Sequence, residues 1–244
     1  MIKTRKSEDT KQKFARVVIM GEAGSGKTSL CKTLPDLNKV LYINTAGYED
    51  GDIVLSNSPG ITILDIETVG DFAELVKELK SAKYKDKEFI FFDSLTGLSS
   101  MSLKFWEKNY PDRRQANIWD LFREHGEALR DIFLQLKELD KHIFFTALMK
   151  QSNDKVAKGI LVPKVDGNMF EESIRNWADG TVALKSYEDG SRKLLLHNNG
   201  EYACKLRVPN GENIPLILET PEHVNLSYLL QLMGFNYTNK KAGE

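Results

Sequence analysis

The chain predicts an α/β fold: a mainly parallel sheet flanked by helices and extended near the C-terminus by antiparallel strands. Three observations carry this expectation. Short apolar runs rich in β-branched and aromatic residues, at 14–20, 39–44, 61–66, 88–94 and 142–149, alternate with segments of helical period. Within 69–80, Val69, Phe72, Ala73, Leu75, Val76 and Leu79 fall on one helical face. Beyond residue 180 the character changes: short strands at 181–185, 193–197 and 202–208 are separated by the turn signals Asp189-Gly190 and Asn198-Asn199-Gly200.

The remaining elements follow in order. Residues 1–13 are polar and read as a flexible tail, with Lys3, Arg5 and Lys6 as a solvated basic cluster. Residues 28–34 start a helix that Pro35 stops, and 103–109 and 118–139 are helical by periodicity. Residues 150–159 carry three lysines and no period, so they read as a mobile loop. Residues 160–165 return to order, 170–177 form a short helix, and 226–233 form a terminal one. One domain over 14–235 is expected, with a frayed tail at 236–244.

Bulk properties exclude several classes. Among 244 residues, 41% are hydrophobic and 28% charged, which suffices for an ordinary globular core. The formal net charge of −1 means that any nucleic-acid surface must be local. Cys31 and Cys204 are far apart and lack metal-ligand spacing, and the four histidines are scattered. No apolar run approaches the length of a membrane span and no signal peptide is visible. A cytoplasmic protein without a membrane partner is the expectation.

The sharpest signal is Gly21-Glu22-Ala23-Gly24-Ser25-Gly26-Lys27-Thr28, followed by Ser29. It meets every fixed position of G-x-x-x-x-G-K-[ST], and it lies between a strand and a helix start. Glycines let the backbone curl so that successive N–H groups face an anion, and the positive end of the next helix adds to the field. Lys27 is placed to reach the β- and γ-phosphates, and the Thr28 hydroxyl to ligate Mg²⁺. This stretch binds a nucleoside triphosphate. In 88–94, an apolar strand ends in Asp93, at the end of an open α/β sheet where ligands bind. Asp93 is therefore expected to hold Mg²⁺, or its water, opposite Thr28. At the end of the neighbouring strand, Thr146 is a candidate sensor of the γ-phosphate.

Two further features suggest a family. Asp93-Ser94 resembles the Walker B strand of the RecA and RadA recombinases, and Cys204-Lys205-Leu206-Arg207, after an Asn-Asn-Gly turn, resembles the Lys-x-Arg element of RadA-like proteins. With the Pro163…Asp166-Gly167 passage, residues 14–215 are similar to phage-encoded P-loop NTPases of RecA-like fold, including the Sak-type single-strand annealing recombinases. That resemblance implies ATP with Mg²⁺, and a homo-oligomer on single-stranded DNA with nucleotide at the subunit boundary. It implies annealing or strand pairing, with a single-strand DNA-binding protein as a further partner and the host cytoplasm as location. Lys205 and Arg207 would reach the γ-phosphate of a neighbour; as a solvated basic edge they would merely resist aggregation. DNA contacts would come from Arg113 and Arg114 in 110–117, and from Lys150, Lys155 and Lys158 in 150–159. RecA-like ATPases place a water-orienting glutamate just beyond the second strand, but Asn44-Thr45-Ala46 has no carboxylate; Glu49, Asp50 or Glu67 would substitute. The enzyme is then a slow Mg-dependent ATPase, or a nucleotide-gated binder with little turnover. A nucleotide-dependent switch or assembly ATPase acting on a protein is the alternative. ATP is expected by family likeness, as no Asn-Lys-x-Asp guanine-reading motif is present.

Overall fold

The computed structural model describes residues 14–45, 47, 51–110, 112, 117–152, 158–209 and 214–237. Strand β1 (Arg16–Gly21) lies in the middle of a sheet whose order is β11-β9-β8-β1-β5-β4-β2-β3. Its members are β2 (Val40–Thr45), β3 (Thr62–Ile66), β4 (Phe89–Asp93), β5 (His142–Ala147), β8 (Gly180–Ser186), β9 (Arg192–Leu195), β10 (Lys205–Leu206) and β11 (Ile217–Leu218). Strands β1, β2, β3, β4, β5 and β8 run parallel; β9, β10 and β11 pair antiparallel. The α/β fold class with C-terminal antiparallel strands is therefore observed. One detail differs from expectation: β8, read as part of the antiparallel extension, pairs parallel with β1. Its antiparallel neighbours share its outer edge, β10 along Gly180–Thr181 and β9 along 183–186.

Strands β1, β2, β4 and β5 are continuous apolar runs because both faces are covered. The period of two divides them between layers. Ile90 and Phe92 face a core with α2 (Val69–Leu79), α3 (Leu95–Asn109), α4 (Ile118–Lys137) and α5 (Asn168–Trp177). Phe89 and Phe91 face the opposite core, with Leu30, Cys31, Leu34 and α6 (Leu226–Leu232). In the first layer the Phe92 and Phe145 rings stack at 4.5 Å, and Phe133 and Trp177 close over Phe145.

Local chemistry sets the helix starts. Thr68 and Asp71 form a reciprocal capping box for α2, and Ser94, Asn117 and Asn225 cap α3, α4 and α6. The Ser94 cap explains why α3 begins at Leu95 and not near 103, as periodicity suggested. Its first turns are rich in glycine and serine, whose weak hydrophobicity hides the helical stripe. A four-residue helix, α1 (Asp52–Leu55), lies between β2 and β3. Two further strands, β6 (Met149–Gln151) and β7 (Leu161–Pro163), form an antiparallel ribbon, so residues 150 and 151, expected in a loop, are strand.

Candidate functional site: a phosphate-binding loop against a Walker B aspartate

The segment after β1 turns sharply at Gly24 (φ +75°) and Gly26 (φ +94°), backbone conformations that a side chain would strain. Thr28–Thr33 follows as a 3-10 helix, tighter than the α-helix expected. The Leu30 N–H is shared between Gly26 O (3.3 Å) and Lys27 O (3.1 Å). Ser25 and Lys27 are buried, whereas Glu22, Ala23 and Gly24 face solvent. The Lys27 ammonium donates to the carbonyls of Gly21 (3.1 Å) and Glu22 (2.7 Å), which keeps it over the loop.

Asp93 is the hub. It ends β4 and is 2% exposed. Its Oδ2 accepts from Thr28 Oγ1 (2.5 Å) and from the Tyr42 hydroxyl (2.8 Å), and its Oδ1 accepts from Thr146 Oγ1. Three strands and the loop thus converge on one carboxylate. All three hydroxyl protons point at it, so the lone pairs of the Thr28 oxygen stay available for a cation. Behind this, the Thr45 hydroxyl accepts from Ser94 N (3.0 Å) and donates to Asp93 O (3.1 Å), holding the cis Asp93–Ser94 peptide. Cys31 sits below, fully buried, its thiol pushed well above the usual range by burial and then by the nearby Asp93 charge.

A magnesium nucleotide fits these residues. The Ser25 hydroxyl is buried without a hydrogen-bond partner, and the loop turns at Gly24 and Gly26 with the positive φ that an anion-cradling backbone uses. Thr28 and Asp93 form a hard oxygen pair of the type that holds Mg²⁺. Among the described residues there is no group of three or more His, Cys, Asp or Glu that could hold a metal.

A family comparison matches an AAA domain over residues 13–208. This chain belongs to that AAA domain family. Its core is accordingly a P-loop ATPase core, with nucleotide and usually Mg²⁺ as its ligands. The AAA-family chain is also 25% identical over 158 residues to the GTPase Der of Karelsulcia muelleri (strain GWSS), covering 56% of this chain. It spans only 36% of that relative's length. Among solved structures it resembles the RadB recombinase, with a TM-score of 0.51 at 14% identity, covering 84% of this chain and 87% of the other. That likeness establishes a RecA-type fold.

The structure places the other candidates unevenly. Glu49, Asp50, Arg113, Arg114 and Lys155 lie outside the described residues. Glu67 is exposed at the end of edge strand β3, one strand beyond β2. Lys150 belongs to β6, not to a loop, and its ammonium binds Val165 O (2.7 Å) and Glu171 Oε2 (3.2 Å). Lys158 is exposed. Lys205 pairs with Thr181 on β8, three residues before the Leu184 that faces Gly21. That offset is roughly 10 Å along the strand, away from the loop of the same chain. Its ammonium donates to Arg175 O, and burial, then Arg207, lowers its pKa. Arg207, outside the strand, meets Asp179 at 3.3 Å with a side chain 58% exposed.

Sequence reasoning missed Tyr42, Thr45 and Arg192. A hydroxyl at 42 and 45 within an apolar strand was the available signal. Arg192, whose guanidinium lies against Gly26, offered none, because that approach depends on how β9 folds back along β8.

Proposed function

We propose that this protein is an ATP-driven DNA recombination protein that assembles side by side on single-stranded DNA and promotes annealing or strand pairing. The observation that carries the nucleotide half is the Thr28–Asp93 contact, 2.5 Å, between loop and Walker B strand. Lys27 and the loop amides hold the phosphates, and Thr28 and Asp93 hold Mg²⁺, which supplies charge neutralisation at the transferred phosphoryl group. Lys205 and Arg207 act on a neighbour's nucleotide; their offset from the loop of their own chain and the exposure of Arg207 support this. The RecA-type fold supports the DNA half, with Arg113, Arg114, Lys155 and Lys158 of the stretches 110–117 and 150–159 as its contacts. Turnover is slow, as β2 ends in Asn44 and Thr45 without a carboxylate.

A second reading, a nucleotide-dependent switch acting on a protein, is favoured by Lys150, whose charge is spent on Glu171 and is not offered to DNA. Binding of labelled single-stranded DNA with and without ATP and Mg²⁺, at two salt concentrations, separates the two. The recombination reading expects nucleotide-dependent, salt-sensitive binding that Lys27→Ala weakens. No DNA binding at either salt refutes it and leaves the switch.

A further inference from the structure

The hairpin of β8 and β9 brings a cation to the phosphate-binding loop from the same chain. Strand β8 runs alongside β1 to the start of the loop, where Leu184 pairs with Gly21. The chain then turns through Gly190 (φ +80°) and returns with Arg192 opposite Ser186. The turn is fixed by Tyr187 N to Ser191 O (3.0 Å), Gly190 N to Tyr187 O (3.0 Å) and Ser191 N to Asp189 Oδ1 (2.9 Å).

This geometry lays the Arg192 guanidinium on Gly26. The position that a Cβ on Gly26 would take lies 2.5 Å from Arg192 Cζ and 2.8 Å from both Nη1 and Nη2. Among the described residues, the guanidinium has no ion-pair or hydrogen-bond partner, although Arg192 is exposed and Lys185 and Lys193 of the same hairpin pair with Glu201 and Glu219. An arginine that rests on a phosphate-binding loop with all five donors free is placed for a phosphate, whose oxygens match its planar fork. The neighbouring Ser25 hydroxyl, buried and unpartnered, lies on the same stretch of loop.

We propose that Arg192 is a phosphate contact supplied in cis, closing over the Gly26 side of the loop onto the α- and β-phosphates. It rests on the nucleotide-binding reading. It differs in kind from Lys205 and Arg207, since it needs no second copy. Because the α- and β-phosphates are common to both nucleotides, ADP and ATP depend on Arg192 equally.

The test is calorimetric titration of Mg·ADP and Mg·ATP into the full-length protein: wild type, Lys27→Ala, Arg192→Ala and Arg192→Lys. Arg192→Ala is expected to raise both dissociation constants about ten- to a hundredfold and to flatten their salt dependence. Arg192→Lys recovers part of the loss. The unliganded variants melt with wild type, because the side chain is exposed and unpaired. Arg192→Ala within twofold of wild type, with Lys27→Ala defective, overturns the inference and leaves nucleotide binding intact. A loss confined to ATP, or one that Arg192→Lys does not relieve and salt does not modulate, also overturns it. Wild type that binds neither nucleotide removes the nucleotide reading itself.

Discussion

Tyr42→Phe isolates one hydroxyl at the centre of the site. The ring is fully buried and stacks on Phe91 at 5.9 Å, and both features survive the change. What is lost is the donor to Asp93 Oδ2 at 2.8 Å, on a carboxylate that is 2% exposed. A hydrogen bond to a charged group contributes about 1.5–3 kcal/mol, so unfolding should cost about 2 kcal/mol less. For a domain of this size that lowers the melting temperature by roughly 4–8 °C. Differential scanning calorimetry of the unliganded protein reads it directly. The same deletion leaves Thr28 as the remaining donor on Oδ2, so the carboxylate swings more freely. Half-maximal ATP binding then needs several-fold more Mg²⁺. A melting point within about 1 °C of wild type, with an unchanged Mg²⁺ requirement, would show that Tyr42 does not position Asp93 and that the convergence on that residue is unimportant.

Three further outcomes are expected. Gly51→Ala should reproduce the Tyr42→Phe defect by steric means, since its Cβ would lie 2.0 Å from the Tyr42 hydroxyl; about 1–3 kcal/mol of stability is at stake, read by urea unfolding. Thr28→Ala should leave Mg-free ADP binding nearly intact while raising the Mg²⁺ needed for ATP at least tenfold, checked by titrating Mg²⁺ at fixed nucleotide. Stability should fall on acidification through His142, whose pKa is lowered from 6.5 to about 4, by burial first, opposed by Glu88 and assisted by Arg16. The unfolded chain takes up this proton before the folded one does, so the contribution is complete above pH 6.5 and is lost between there and about 4. It amounts to at most about 3 kcal/mol, and His142→Asn should flatten that part of the profile in pH-dependent urea melts.

Much of the fold was legible because its signals are local. The loop glycines, the apolar run ending in Asp93 and the stripe of α2 each specify their element without distant information. Two misreadings have different causes. The start of α3 lacks a stripe, and only the Ser94 cap marks it. The direction of β8 is set by pairing with β1, 163 residues earlier at the Arg16–Asp179 contact, and no periodicity reports a partner. The site divides the same way. Lys27, Thr28 and Asp93 follow from chain pattern. Tyr42 and Thr146 join Asp93 only because β2, β4 and β5 are neighbours in that order, a tertiary fact.

The burial of Cys31 has a practical consequence. Cys31 is a buried residue of the same short helix as Thr28, and its proton is held tightly, so an alkylating reagent meets neither an accessible atom nor a thiolate while that helix is seated. Cys204 is likewise buried, with its thiol pushed up to about 12, so the native background is low. Labelling of Cys31 therefore keeps time for the lifting of a single helical turn, and its slowing by nucleotide would measure how firmly the phosphate clamps that turn shut.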